Sequence, residues 1–281
     1  MKGRWAGRCA ARWIALAAAL ALMCALGVAG RWGRTVPAAA CGERAGYVAL
    51  TFDDGPRRKT TRALLDGLAR RGVPATFFLI GLKVPGNEDL ILRMEEEGHQ
   101  VGIHAQNHEV ILTSEAVARE VEPLRDTLAG LLGRRDFMVR PPYGKTSAQA
   151  LAAMGAPVIL WSVDPEDWSD TDTRRQSEHI LSRVKDGDII LLHDVYPSSV
   201  DTALTVADAL LERGFSLVTV EQLFAVRGRQ AQSGEVYHSV LMGQPDSPDR
   251  NCCTVGTATP HTRSTSGALV RRQTRMAVRM A

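Results

Sequence analysis

From about residue 46 to 225, short apolar runs alternate with longer amphipathic stretches, and no other feature constrains the fold as tightly. Tyr47 to Phe52 (YVALTF) reads as a buried strand, stopped by Asp53-Asp54-Gly55-Pro56. Thr60 to Arg71 carries Leu64, Leu65 and Leu68 on one face and is closed by Gly72, as a helix would be. Ala75 to Ile80 is the next strand, and Asp89 to Glu97 the next helix, with Leu90, Ile91 and Met94 inward. Gln100 to His104 is strand-like and Ser114 to Leu132 helical. Val158 to Val163, Asp188 to Leu192 and Ser216 to Val220 repeat the strand pattern, with Thr202 to Arg213 a helix between the last two. Strands alternating with helices imply parallel strands joined by crossovers, an α/β architecture. A barrel and an open doubly wound sheet both satisfy the pattern.

The two ends read differently. Basic residues up to Arg12 precede Ile14 to Gly30, a stretch without a charge. This is the layout of an export signal, slightly short for a spanning helix of about 20 residues. Beyond about Val240 the chain is rich in Ser, Thr, Pro and Arg, with few apolar residues, which predicts a disordered tail. The net charge of +3 arises from 34 basic against 31 acidic side chains, with much of the excess at the ends. That is too little to argue for a nucleic acid partner. Cys9 and Cys24 fall in the signal, leaving Cys41, Cys252 and Cys253, an odd number placed outside the core. Neither a disulfide framework nor a cysteine metal site can be built from them.

Chemistry-bearing residues cluster where predicted strands end, the face on which parallel strands deliver side chains together. Asp53-Asp54 follow the first strand and His104 closes the third. Arg140 opens a Pro-Pro-Tyr-Gly loop, Asp164 to Trp168 follow another strand, and His193-Asp194 another. Singly, each has an ordinary structural reading: a turn, a helix face, a rigid loop. All five in one domain is far less expected by chance.

Five motifs in order resemble those of the polysaccharide deacetylase family (carbohydrate esterase family 4, with a NodB-homology domain). They are Thr51-Phe52-Asp53-Asp54-Gly55-Pro56, His104-Ala105-Gln106-Asn107-His108, Arg140-Pro141-Pro142-Tyr143-Gly144, Asp164-Pro165-Glu166-Asp167-Trp168 and Leu191-Leu192-His193-Asp194. The resemblance implies a distorted (β/α)7 barrel as a single catalytic domain at 45–240. It would be preceded by a signal peptide or signal anchor at 1–30 and a linker at 31–44, and followed by the tail at 241–281. It implies Asp54, His104 and His108 as metal ligands. One Asp and two His make an open site that suits Zn²⁺, and also Co²⁺ or Ni²⁺. A spacing of four predicts both imidazoles on one side of a helical turn. Asp53, unable to point with Asp54 on an extended backbone, is implied as general base, with Arg140 as its partner. The Tyr143 N–H would stabilise the oxyanion, and His193 would be the general acid with Asp167 as its charge partner. Trp168 and Leu191 would wall a pocket for the acetyl methyl. The family usually has Ser or Thr, a loop-bracing hydroxyl, where this chain has Ala105, and often Pro where it has Glu109; weaker bracing of the loop is expected.

The implied activity is removal of N-acetyl groups from N-acetylglucosamine-type residues of a cell-wall glycan, with peptidoglycan foremost, by a monomer secreted or held at the outer face of the membrane by the N-terminal segment. Chitin oligomers, an exopolysaccharide and O-acetylated xylan are the alternative substrates. A catalytically dead carbohydrate-binding protein is the reading from another class, opposed by the retention of both Asp53 and His193.

Overall fold

The computed structural model describes residues 45–241. The expected signal segment, the linker, Cys41, Cys252, Cys253 and all but the first residue of the expected tail lie outside the described residues. No helix among the described residues is long and apolar enough to cross a membrane.

In chain order the elements are β1 (Gly46–Asp53), α1 (Arg58–Arg71), β2 (Thr76–Ile80), α2 (Glu88–Glu96), β3 (Gln100–Ala105), α3 (Ser114–Glu120), α4 (Glu122–Leu132) and α5 (Ala148–Met154). There follow β4 (Val158–Ile159), α6 (Thr173–Arg183), β5 (Ile189–His193), α7 (Pro197–Glu212), β6 (Phe215–Val218), α8 (Val220–Ala225) and β7 (Val236–Tyr237). The sheet runs β3-β2-β1-β5, and β6 pairs with the first half of β1 while β5 pairs with the second. Every ladder is parallel, including a separate pairing of β4 with β7. Isolated bridges join Ile103 to Val139, Val139 to Val158, Val163 to Ile190 and Asp188 to Ser239.

The helix expected from Thr202 begins earlier, at Pro197, and three further expected elements differ. Ser114 to Leu132 is two helices, not one, broken at Val121. Pro123 explains it: proline lacks the N–H and clashes with the preceding turn, so it is tolerated only in the first turn of a new helix. The strand expected over Val158 to Val163 is regular only at Val158–Ile159, because the Arg140 guanidinium claims the carbonyls of Ile159 and Leu160 at 3.0 and 2.9 Å. The strand expected through Val220 stops at Val218, where Thr219 and Gln222 exchange side-chain and backbone hydrogen bonds in a capping box that starts α8.

Alternation along the strands divides the interior. Val48, Leu50 and Phe52 of β1, Phe77 and Leu79 of β2, Val101 and Ile103 of β3, and Ile190 and Leu192 of β5 face the helices in one large cluster. Ala49, Phe78, Ile159, Ile189, Val218 and Tyr237 form a second cluster on the other face, closed off by Val220, Leu223 and Phe224 of α8. The second face is therefore apolar toward the strand beginnings. Further along the same strands, at the carboxyl ends, its residues become Thr51 and Asp53, His104, and Leu191 and His193. Gly102 belongs to this face: a Cβ there would lie 2.7 Å from the Phe78 ring and 3.0 Å from the Met138 carbonyl. Its absence lets Phe78 lie 4.2 Å beneath the Arg140 guanidinium.

Candidate active site

Strand β1 places Asp53 and Asp54 at the middle of the sheet, with His193 on adjacent β5 and His104 on β3 beyond β2. Asp53 and His193 are register partners. Asp53 is buried and accepts from Arg140 at 2.8 Å. Arg140 is fully buried, and each of its three nitrogens donates: to Asp53, to Thr51 Oγ1 at 2.7 Å, and to the carbonyls of Ile159 and Leu160. With its other nitrogens tied to Thr51, Ile159 and Leu160, the guanidinium is fixed in place and its bond orients the Asp53 carboxylate.

The ligating atoms of Asp54, His104 and His108 lie within 4.8 Å of one another. His104 Nε2 is 3.5 Å and His108 Nε2 3.4 Å from Asp54 Oδ1. Asp54 Oδ1 is buried without a hydrogen-bond partner, as an atom reserved for a cation would be. His104 Nδ1 donates to the Arg140 carbonyl at 2.7 Å, which leaves the Nε2 lone pair directed at Asp54. Burial, opposed by Asp54, holds His108 below the ordinary imidazole range, which favours the neutral form a metal ligand needs. Burial would raise the Asp54 pKa, but His104, His193, His108 and Lys83 outweigh it and keep the carboxyl below its ordinary range. The residues fit a divalent cation.

The expected helical turn between the two histidines is not there. His104 belongs to β3, the chain leaves the strand after Ala105, and His108 adopts a left-handed backbone with φ 66°. Asp54 does likewise, φ 71°, so the pair Asp53-Asp54 is not extended either. The strand end and a reversed loop, not helical periodicity, bring the imidazoles together, with ring centres 5.0 Å apart.

His193 Nδ1 donates to Asp167 Oδ1 at 2.8 Å, and its backbone N–H donates to Asp167 Oδ2 at 2.8 Å. Burial alone would lower the imidazolium pKa. The charge and hydrogen bond of Asp167, with Asp54 and Asp53 behind it, more than offset this and raise it from 6.5 to about 9. Tyr143 sits at φ 61° in a turn whose next two N–H groups fold back on the Pro141 and Pro142 carbonyls. Among the described residues no protein acceptor takes the Tyr143 N–H. Its ring lies edge-on to His108 at 4.9 Å. Leu191 is buried and shares the strand face of His193, while Trp168 stands at the rim, 41% exposed.

Lys83, to which the sequence reading gave no part, and Asp194, to which it gave no role, also belong to this site. Lys83 Nζ donates to the Asp54 carbonyl at 2.8 Å. Asp194 is fully buried, accepts from Thr61 Oγ1, and leaves Oδ1 unpartnered. Burial, aided by the Asp54 charge and opposed by the Thr61 hydrogen bond, pushes the Asp194 carboxyl up from 3.8 to about 7. A Cβ on Gly55 would lie 2.4 Å from the Asp194 oxygens, so only glycine lets the carboxyl pack on this loop. The adjacency of Asp194 to His193 was the one sequence signal; Lys83 offered none.

The arrangement can hold a cation, accept a proton and deliver one at the carboxyl ends of parallel strands. A polysaccharide deacetylase family profile matches residues 42–157, which include the first three motifs. A peptidoglycan-N-acetylmuramic acid deacetylase of Bacillus subtilis, PdaC, is 37% identical over 182 residues, 64% of this chain and 39% of PdaC. A chitooligosaccharide deacetylase of Bradyrhizobium sp. is 35% identical over 199 residues, 63% of this chain and 90% of that one. The solved structure of a family 4 acetyl xylan esterase from Clostridium thermocellum in complex with a cobalt ion matches with a TM-score of 0.65 and 28% identity, covering 69% of this chain and 98% of that one. The chain belongs to the polysaccharide deacetylase family. It spans about two fifths of the length of PdaC and of the Listeria monocytogenes peptidoglycan-N-acetylglucosamine deacetylase PgdA.

Proposed function

We propose that this protein is a metal-dependent hydrolase that removes N-acetyl groups from N-acetylglucosamine-type residues of a cell-wall glycan, with peptidoglycan as substrate. The carrying observation is the buried His193–Asp167 pair beside Asp53–Arg140 on neighbouring strands. It sets a proton donor and a proton acceptor together with the Asp54, His104, His108 cluster. Those three residues would hold Zn²⁺, or Co²⁺ or Ni²⁺ in its place. A bound cation would polarise the acetyl carbonyl and lower the pKa of water.

The chain's own residues do the rest. Asp53, held by Arg140, takes a proton from the attacking water as its oxygen bonds to the acetyl carbon. The Tyr143 N–H donates to the oxygen that becomes negative. His193 gives its Nε2 proton to the nitrogen as the C–N bond breaks, releasing acetate and a free amine. Asp167 keeps that imidazole protonated at neutral pH. An amine leaving group needs this proton, which favours the amide over the acetyl-ester substrate of the xylan esterase. Leu191 and Trp168 would wall the methyl pocket.

We further propose that residues 45–240 form the catalytic domain, as a distorted (β/α)7 barrel. The bridges through Val139, Val163 and Ser239, which carry strand pairing beyond the main sheet, support that closure. The basic and apolar N-terminal segment supports extracytoplasmic action, secreted or anchored at 1–30, with 31–44 a linker and 241–281 a tail. Acetate release from peptidoglycan, N-acetylglucosamine oligomers and acetylxylan, with and without chelator, tests the reading. Release from the first that chelator abolishes is expected. Release from acetylxylan alone would refute the substrate, and release from none would refute the enzyme in favour of a binding protein.

A further inference from the structure

We propose that Glu120, the last residue of α3, is the positioning residue that sets His108 for cation binding. This rests on the reading of Asp54, His104 and His108 as metal ligands. Glu120 is 1% exposed. Its Oε2 accepts the Asn107 backbone N–H at 2.7 Å and, more distantly, that of Glu109 at 3.4 Å, while Oε1 accepts from Asn107 Nδ2 at 2.9 Å. Its own carbonyl accepts the Gln106 N–H at 2.7 Å. The residues on both sides of His108 therefore end on one side chain.

Two observations make this more than a loop contact. His108 has φ 66°, a conformation costly for any residue with a Cβ, which persists only where its surroundings over-determine it. Ala105, the last residue of β3 before the loop, is fully buried in the hydrophobic cluster and offers no acceptor. Among the described residues no Lys or Arg pairs with Glu120, so the loop N–H groups are the donors its buried carboxyl has. A loop conformation that withdrew these N–H groups would leave the buried carboxyl without donors as well as misplace the imidazole. The loop and the carboxylate thus hold each other in the one arrangement that aims His108 Nε2 at Asp54.

The test is Zn²⁺ affinity of the full chain, measured by competition with a chromophoric chelator. Glu120→Met keeps an apolar-tolerant helical position filled but removes the acceptors, and is expected to weaken Zn²⁺ binding about 10–100-fold, the range seen for lost outer-shell partners. Glu120→Gln retains an oxygen at Oε2, and a flip of the Asn107 amide satisfies its NH₂, so affinity within roughly threefold of wild type is expected. Glu120→Met binding as tightly as wild type, or Glu120→Gln losing as much as Glu120→Met, overturns the proposal. If Glu120→Met does not fold, Asn107→Ala, at an exposed position, removes one of the bonds and should weaken Zn²⁺ by at least roughly threefold; unchanged affinity there overturns the proposal equally. A wild-type chain that binds no Zn²⁺, Co²⁺ or Ni²⁺ would instead refute the ligand assignment.

Discussion

Asp167→Asn keeps the shape around His193 and removes the charge that outweighs its burial. Without that anion, burial dominates and the imidazolium pKa should fall from about 9 to 6.5 or lower. At about 1.4 kcal/mol per pH unit, the span from 6.5 to about 9 amounts to about 3 kcal/mol. At pH 7.5 the protonated fraction should drop roughly tenfold or more, and kcat/KM with it. The loss should shrink below pH 6.5, where the variant's imidazole recovers its proton. Stability follows the same sign. A histidine whose folded pKa is raised contributes fully below its unfolded value and loses the contribution as pH rises through the folded one. The melting gap between wild type and Asp167→Asn should therefore be widest below about pH 6.5 and close toward pH 9 and above. NMR titration of His193 in metal-free protein, beside kcat/KM against pH, reads both effects. A bound cation offsets the Asp54 charge, so the loaded enzyme should show the same contrast from a lower starting value. A His193 pKa that stays near 9 in the variant, or an activity loss independent of pH, would refute the reasoning.

Asp53→Asn should cut turnover on the order of 10²–10⁴-fold while keeping Zn²⁺, whereas His104→Ala or His108→Ala should lose the metal; equal metal loss in all three would contradict the division of roles. In metal-free protein, Asp194→Asn should melt higher than wild type above pH 7 and equally below pH 4. The buried carboxyl is raised from 3.8 to about 7, so its favourable term is lost as pH rises through 7, with a ceiling on the order of 4 kcal/mol. A melting gap that does not change with pH would refute this. Gly102→Ala should cost about 1–3 kcal/mol in chemical denaturation, because Phe78 and the Met138 backbone must give way; a neutral effect would mean Phe78 is not held there.

The strand and helix alternation was legible because it reflects burial on a fixed period, and β2 and β5, buried throughout, read as unbroken apolar runs. Which side chains meet was legible because parallel strands send consecutive segments to one edge. What the sequence concealed was local backbone geometry and long-range polar pairing. The left-handed turn at His108 has no glycine to announce it. The shortening of β4 follows from a guanidinium that comes from 19 and 20 residues earlier in the chain. Glu120 looks, on an amphipathic helix, like any solvated glutamate. Pro123 and the Thr219–Gln222 capping box were visible signals of helix boundaries, overridden in the reading by the stronger apolar period around them.

Asp53 and Asp54 are consecutive residues, the first turned to Arg140 and the second to His104 and His108. Their Cα atoms are about 3.8 Å apart through a single peptide bond, whatever the rest of the chain does. The separation between the proposed proton acceptor and the first of the proposed metal ligands is thus built with a covalent ruler, insensitive to breathing of the sheet. His104 arrives on β3, His108 on the loop that follows it and His193 on β5, so these three can drift. Thermal loosening or distant substitutions should therefore degrade cation retention and proton delivery first, and leave the spacing between Asp53 and Asp54 intact until the chain itself unfolds.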